Sequence, residues 1–204
     1  MIVIIDYDAG NIGSLKNMLK KLGHDSQLTS DVSTIEAAEK IILPGVGSFD
    51  HGMSKLHDLG LSEVLNKKKD AGTPILGICL GAQLMCLSSE EGKMEGLKWI
   101  NANVVRFPGI VDSKKLLVPH IGWDEVQSQK ESRLFDSMPN AARFYFVHSY
   151  HIRCNVEMDS LAQNRYGVLY DSAFEKANVV GVQFHPEKSH RYGKQLLQNF
   201  VENY

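Results

Sequence analysis

The sequence predicts an α/β fold in which a central, mostly parallel sheet is flanked by helices, with antiparallel strands added in the C-terminal half. Short β-branched runs without polar alternation, such as "IVII" at residues 2–5, fit strands buried on both faces, as in a parallel sheet. Runs of this kind recur before Gly96, each followed by a glycine-bearing turn and then apolar residues at helical spacing. Past Gly96 the texture changes to short β-rich pieces separated by turn-prone stretches, which adds mixed or antiparallel strands.

In the first unit the opening strand leads to a turn at Gly10 and Asn11. Leu15, Met18, Leu19 and Leu22 then recur at helical spacing until Gly23 stops them. "KIIL" at residues 40–43 starts the second unit and runs into "PGVGSFDHGM". Residues 74–78 start the third, followed by a helix over residues 80–87. The basic run "NKKK" at residues 66–69 reads as a solvated helix end, where lysines suit the C-terminal dipole, and no aromatic or further basic cluster accompanies it. The later strands are read in "NANVVRF", "EVQS", "RFYFVHSYHIR", "SLAQ", "GVLYDSAF" and "NVVGVQFHP". Leu196, Leu197, Phe200 and Val201 mark an amphipathic terminal helix.

A chain of 204 residues that is 43% hydrophobic can bury one substantial core, and with no solenoid repeat or Pro/Gly/Ser-rich linker a single domain over residues 1–204 is expected. A formal charge of −2 gives no general attraction to nucleic acid or to an anionic membrane. Three cysteines without a CxxC pair argue for a reducing compartment. The opening apolar segment is too short, and too soon followed by aspartate, for a signal peptide or a membrane span. A soluble cytoplasmic protein is the expectation.

The stretch that carries chemistry is "GICLG", Gly77 to Gly81, which follows the G-x-nucleophile-x-G pattern with Cys79 in the nucleophile place, where a strand ends and a helix begins. The glycines let the backbone turn sharply, and the central residue is raised above the sheet edge, pointing at a helix N-terminus that favours thiolate over thiol. Read alone, the pentapeptide also fits a buried cysteine beside a glycine-tolerant turn. Cys86 and Cys154 have no such context. A thiolate needs an imidazole partner, and the imidazole an orienting acceptor. "VVGVQFHPEKS" supplies both, with His185 and Glu187 two apart on an extended segment stiffened by Pro186. "LPGVGSF" follows a strand directly, and its glycines permit amides turned outward to meet an oxyanion. His148 and His151 are three apart in a β-rich stretch, which sets them on opposite faces and argues against a metal site.

Together "LPGVGSF", "GICLGAQL" and "GVQFHPEKS" resemble the class I glutamine amidotransferase family, the triad glutaminases that hydrolyse glutamine and hand the ammonia to a synthase. The likeness extends through "IIDYDAGNIGSL", "PHIGWDEV", "FYFVHSYH" and "LLQNF", and covers essentially the whole chain. Within the family these segments are most similar to the glutaminase subunits of the histidine pathway. The resemblance implies a flavodoxin-like fold, no cofactor, no metal, and a heterodimer with a cyclase (synthase) subunit. It implies Cys79 as nucleophile, His185 as proton carrier and Glu187 as the group that holds the imidazole. It assigns Gly45, Val46, Gly47 and Leu80 to the oxyanion hole, Gln83, Ser149 and Tyr150 to the amino-acid end of glutamine, and Pro119, His120, Trp123 and Lys188 to the synthase-facing surface. Asp8, Ala82, Asp124 and His190 depart from the family's usual residues, and none of these departures removes a catalytic group. Two alternatives share the elbow and the histidine: a paralogue that feeds ammonia to a sugar amidotransferase, and a freestanding cysteine hydrolase.

Overall fold

The computed structural model describes residues 1–8 and 12–204; the turn read at Gly10 and Asn11 lies outside the described residues. The N-terminal half alternates strand and helix. β1 (Ile2–Ile5), α1 (Ile12–Lys21), β2 (Ser26–Thr29), α2 (Val32–Glu36), β3 (Lys40–Leu43), α3 (Phe49–Asp58), α4 (Leu61–Asp70), β4 (Ile75–Ile78) and α5 (Leu80–Leu84) follow one another. The second half is mostly strand: β5 (Ser88–Ser89), β6 (Ala102–Arg106), β7 (Ile110–Val111), β8 (Lys114–Lys115), β9 (His120–Glu125), β10 (Gln127–Ser128), β11 (Arg143–His148), β12 (Tyr150–Cys154), β13 (Ser160–Tyr166), β14 (Val168–Lys176) and β15 (Val179–Val182). α6 (His190–Asn203) closes the chain.

Strands β2-β1-β3-β4-β15 form the parallel part of the main sheet, and from β14 onward the order continues β14-β12-β6-β5, with β13 beside β14. β14 is antiparallel to β15 and β12 antiparallel to β6, so the C-terminal half extends the sheet as the sequence predicts. The unbroken apolar runs have a direct cause. Along β1, Val3 and Ile5 enter one core with Phe49, Met53 and Leu56 of α3, while Ile2 and Ile4 enter the other with Leu15 and Leu19 of α1. β3 divides in the same way, with Ile41 and Leu43 on one side and Ile42 on the other. Both faces of the sheet are covered, and period-2 alternation therefore sends apolar residues both ways.

Two expectations need correction. The elbow helix ends at Leu84 rather than running to residue 87, because the Leu87 amide leaves the helix to bond the Ala102 carbonyl (2.9 Å) and starts the path into β5. "RFYFVHSYHIR" is two strands rather than one: β11 pairs with β9 in a separate ribbon, and after Ser149 the chain joins the main sheet as β12. That break puts His148 and His151 on the same aromatic cluster, with ring centroids 5.2 and 4.6 Å from Phe107. Residues three apart take opposite faces only along an uninterrupted pleat, and the break at Ser149 interrupts it. Burial holds His151 below its ordinary value and His148 down to about 3, so the pair stays neutral. Among the described residues no group of three or more His, Cys, Asp or Glu side chains is set to hold a metal ion, and no helix is long and apolar enough to cross a membrane.

Candidate active site

The carboxyl ends of β3, β4 and β15 lie side by side, and each carries one part of the site; such ends are where open α/β sheets place their ligands. Cys79 follows β4 directly and caps α5 with φ 52° and ψ −109°, a conformation that costs about 1–3 kcal/mol for a residue with a Cβ. The surroundings hold it there. The Cys79 amide donates to Val182 O (2.8 Å), and its carbonyl accepts from the Gln83 amide (3.1 Å). A Cβ on Gly81 would sit 1.8 Å from the Leu43 carbonyl oxygen, and one on Gly77 would sit 2.7 Å from the Ala82 Cα. Any larger residue at either place would push the elbow off the sheet.

His185 and Glu187 meet, although not on an extended segment. Pro186 starts a 3₁₀ turn at Pro186–Lys188, with its φ already suited to a first helical position, and the turn folds the carboxylate back onto the imidazole. Glu187 Oε1 lies 2.7 Å from His185 Nδ1, and both side chains are buried. A carboxylate can only accept here, so Nδ1 carries a proton and Nε2 is left facing inward, buried without a hydrogen-bond partner. Burial disfavours the imidazolium, but the charge of Cys79 and the charge and hydrogen bond of Glu187 outweigh it and push His185 up to about 10. The turn is clamped from behind. The Ser189 hydroxyl donates to His185 O (2.6 Å) and accepts from the Tyr145 amide (3.0 Å), and the His185 amide donates to Tyr145 O (2.9 Å).

The loop after β3 lies over Cys79. Tyr7, fully buried two residues past β1, donates its hydroxyl to Pro44 O (2.6 Å), and burial together with the nearby Cys79 charge pushes that phenol well above its usual range. Of the residues expected to form the oxyanion hole, Gly45 turns its carbonyl to accept the Leu80 amide (3.3 Å), while Val46 and Gly47 are exposed and Gly47 has φ +111°. The Leu80 N–H is therefore occupied by the loop itself. A cavity of about 10 Å³ lies between Pro44, Gly45, Val46, Ile78, His185 and Glu187, room for one water at most. A groove of about 1180 Å³ is lined by residues of the 126–142 segment and Glu175 and includes none of Cys79, His185 and Glu187.

Gln83 is buried, and its Nε2 donates to Tyr150 O (3.0 Å) and to Gln183 Oε1 (3.1 Å), so its amide nitrogen is committed inside the protein. Ser149 and Tyr150 are half-buried where β11 gives way to β12. The residues expected to face a partner divide. Pro119, Trp123 and Lys188 are exposed, with the Lys188 ammonium 5.5 Å from the Tyr145 ring and Trp123 stacked on His190 at 5.1 Å. His120 does not join them: alternation along β9 turns it inward, stacked against Tyr166 (4.0 Å) and Phe146 (5.1 Å). Tyr7, Gln183 and Ser189 went unassigned in the sequence. Only Gln183 and Ser189 carried a signal there, as polar residues beside the His185 motif.

A G-x-Cys-x-G elbow, a carboxylate-held histidine and a glycine loop on three adjacent strand ends define a class, and the whole chain agrees: residues 3–204 match the model of the family described as glutamine amidotransferase class-I, to which the chain belongs. Particular relatives match end to end. The chain is 49% identical over 203 residues to imidazole glycerol phosphate synthase subunit HisH 2 of Methanococcus maripaludis, covering 99% of each. It is 46% identical to the protein of the same name from Pseudomonas aeruginosa, again with 99% of each covered. Leptospira borgpetersenii has a HisH subunit 43% identical over 206 residues, with 98% of this chain and 99% of the relative covered. Among solved structures, a glutamine amidotransferase superposes with a TM-score of 0.77 at 18% identity, covering 99% of this chain and 98% of that one. PurLQS of Thermotoga maritima superposes with a TM-score of 0.72 at 14% identity, covering 99% and 97%.

Proposed function

We propose that this chain is the glutaminase subunit of an imidazole glycerol phosphate synthase, acting in the cytoplasm as one domain over residues 1–204 and passing ammonia to a cyclase subunit in histidine biosynthesis. The observation that carries the chemistry is His185, held at Nδ1 by Glu187 (2.7 Å) with a buried, unpartnered Nε2 on the side of Cys79. The Cys79 sulfur attacks the glutamine carboxamide carbon, and the electron pair of the C=O bond moves to oxygen. As the tetrahedral intermediate collapses the C–N bond breaks, and the His185 Nε2 proton goes to the departing nitrogen, which leaves as ammonia. Neutral His185 then takes a proton from water, the hydroxide attacks the thioester carbon, and the C–S bond breaks to release glutamate and restore the Cys79–His185 pair. Glu187 keeps the imidazole in the tautomer and orientation that both half-reactions need.

The loop conformation supports dependence on a partner. With Gly45 O on the Leu80 amide, the oxyanion lacks that donor, and loss of one such donor costs about 10²–10³ in kcat. Docking of the cyclase against Pro119, Trp123 and Lys188, on the turn that carries Glu187, favours the arrangement in which the loop releases Leu80. Steady-state glutamine hydrolysis by the isolated chain, by the chain with the histidine-pathway cyclase, and by the chain with a sugar amidotransferase tests this. Expected is activation of about a hundredfold or more by the cyclase alone. Full activity in isolation would point to a freestanding hydrolase, and activation by the sugar enzyme alone would reassign the acceptor.

A further inference from the structure

We propose that Gln183 is the hydrogen-bond donor that holds the Cys79 sulfur as a thiolate, and that Gln83 is the positioning residue that aims it. This rests on the reading of Cys79 as the nucleophile and adds a group outside the triad.

Gln183 follows β15 and is fully buried, a place where the flanking Val182 and Phe184 are apolar. Burying a side-chain amide is costly unless its polar ends are bonded, so its contacts account for its presence. It has two of them. Its Oε1 lies 3.1 Å from Gln83 Nε2, and its Nε2 lies 3.8 Å from Cys79 Sγ, within reach for a donor to the large sulfur atom.

The two ends of a glutamine amide have nearly the same shape, so the network must decide which end faces the sulfur. It does so from a fixed point, the backbone carbonyl of Tyr150. A carbonyl oxygen only accepts, so the end of Gln83 that lies 3.0 Å from it is the NH₂ group. The second N–H of that group points to Gln183, and the atom meeting it has to be Oε1. Gln183 is left with its NH₂ toward Cys79. Turning either amide over would set carbonyl against carbonyl or NH₂ against NH₂ at about 3 Å. One carbonyl on β12 thereby delivers an N–H donor to a sulfur on a strand-to-helix turn of the parallel half. Because an N–H bonds a thiolate more strongly than a thiol, a donor aimed in this way selects the charged form of Cys79.

The test is alkylation of Cys79 by iodoacetamide, a probe that needs no glutamine site, followed by mass spectrometry across pH on the full chain. Wild type, Gln183→Met and Gln83→Met are compared. Gln183→Met, which keeps length and loses the donor, is expected to slow alkylation at neutral pH about tenfold and to move the midpoint of the pH profile up by about one pH unit. Gln83→Met leaves the donor present but unaimed and should shift the profile the same way by a smaller amount, about threefold. A residue that only filled space would leave the midpoint where it was. Superimposable profiles for wild type and the variants, with wild-type Cys79 reactive, overturn the proposal and leave the nucleophile standing. An unreactive Cys79 in wild type overturns both. If Gln183→Met is not recovered folded, the Gln83→Met profile decides by itself.

Discussion

Gly47→Ala isolates the conformational equilibrium of the loop over Cys79. In the structure Gly47 has φ +111°, and a Cβ built on it would meet nothing within 4 Å. The substitution therefore adds backbone strain and no clash. Holding a residue with a Cβ in that region costs about 1–2 kcal/mol. The strain falls on the arrangement in which Gly45 O takes the Leu80 N–H, the one in which the oxyanion lacks that donor. Raising the idle arrangement by this amount shifts the balance toward its alternative by a factor of about 5–30. Glutamine turnover by the isolated Gly47→Ala chain is expected to rise by that factor, and the further activation by the cyclase to shrink correspondingly. A coupled glutamate assay with and without the cyclase reads both numbers. Unchanged or lower turnover in a folded variant would mean that the active arrangement needs the same dihedral, or that the loop is not what limits the isolated chain, and would rule out this role for the loop.

Labelling by an electrophilic glutamine analogue should fall on Cys79 and spare the other two cysteines, because burial, with Asp171 nearby, pushes the thiols of Cys86 and Cys154 far up and keeps them protonated at neutral pH. Peptide mapping checks this, and preferential labelling of either residue on folded protein would sink the assignment of the nucleophile. Glu187→Gln should bring His185 part of the way down from about 10, because Cys79, the larger cause of the rise, remains. A histidine whose folded value is raised adds stability that is complete below 6.5 and is lost as pH rises through about 10. Urea unfolding should therefore show the variant less stable than wild type at pH 6, with the gap closing by about pH 10; a gap that widened with pH would contradict it. Cys79→Ala should abolish glutamine-dependent cyclase turnover while leaving ammonia-dependent turnover intact, and failure of added ammonia to rescue it would place the damage in folding or docking.

Much of this molecule was legible without coordinates because its determinants are local. The β-branched runs of β1, β3 and β4 announce strands covered on both faces, Gly77 and Gly81 announce a sharp turn under Cys79, and His185 and Glu187 are too close in sequence to part. The tertiary structure decided what depends on residues far apart in the chain. Whether Leu80 offers its amide to a substrate or to Gly45 depends on how the β3 loop lies across the elbow. That His120 turns inward while Trp123 stays out follows from the pairing of β9 with β11, and the meeting of His148 with His151 follows from the break at Ser149, which moves the chain from one sheet to another. The orientation of the Gln183 amide is the clearest case. It is set by Gln83, 100 residues away, and by a carbonyl on a third strand. Side-chain amides have no preferred end until partners choose one, and strand order brings those partners together. The residue types and their spacing specify which chemistry is available to the chain, whereas the packing of distant strands specifies which atoms face the sulfur.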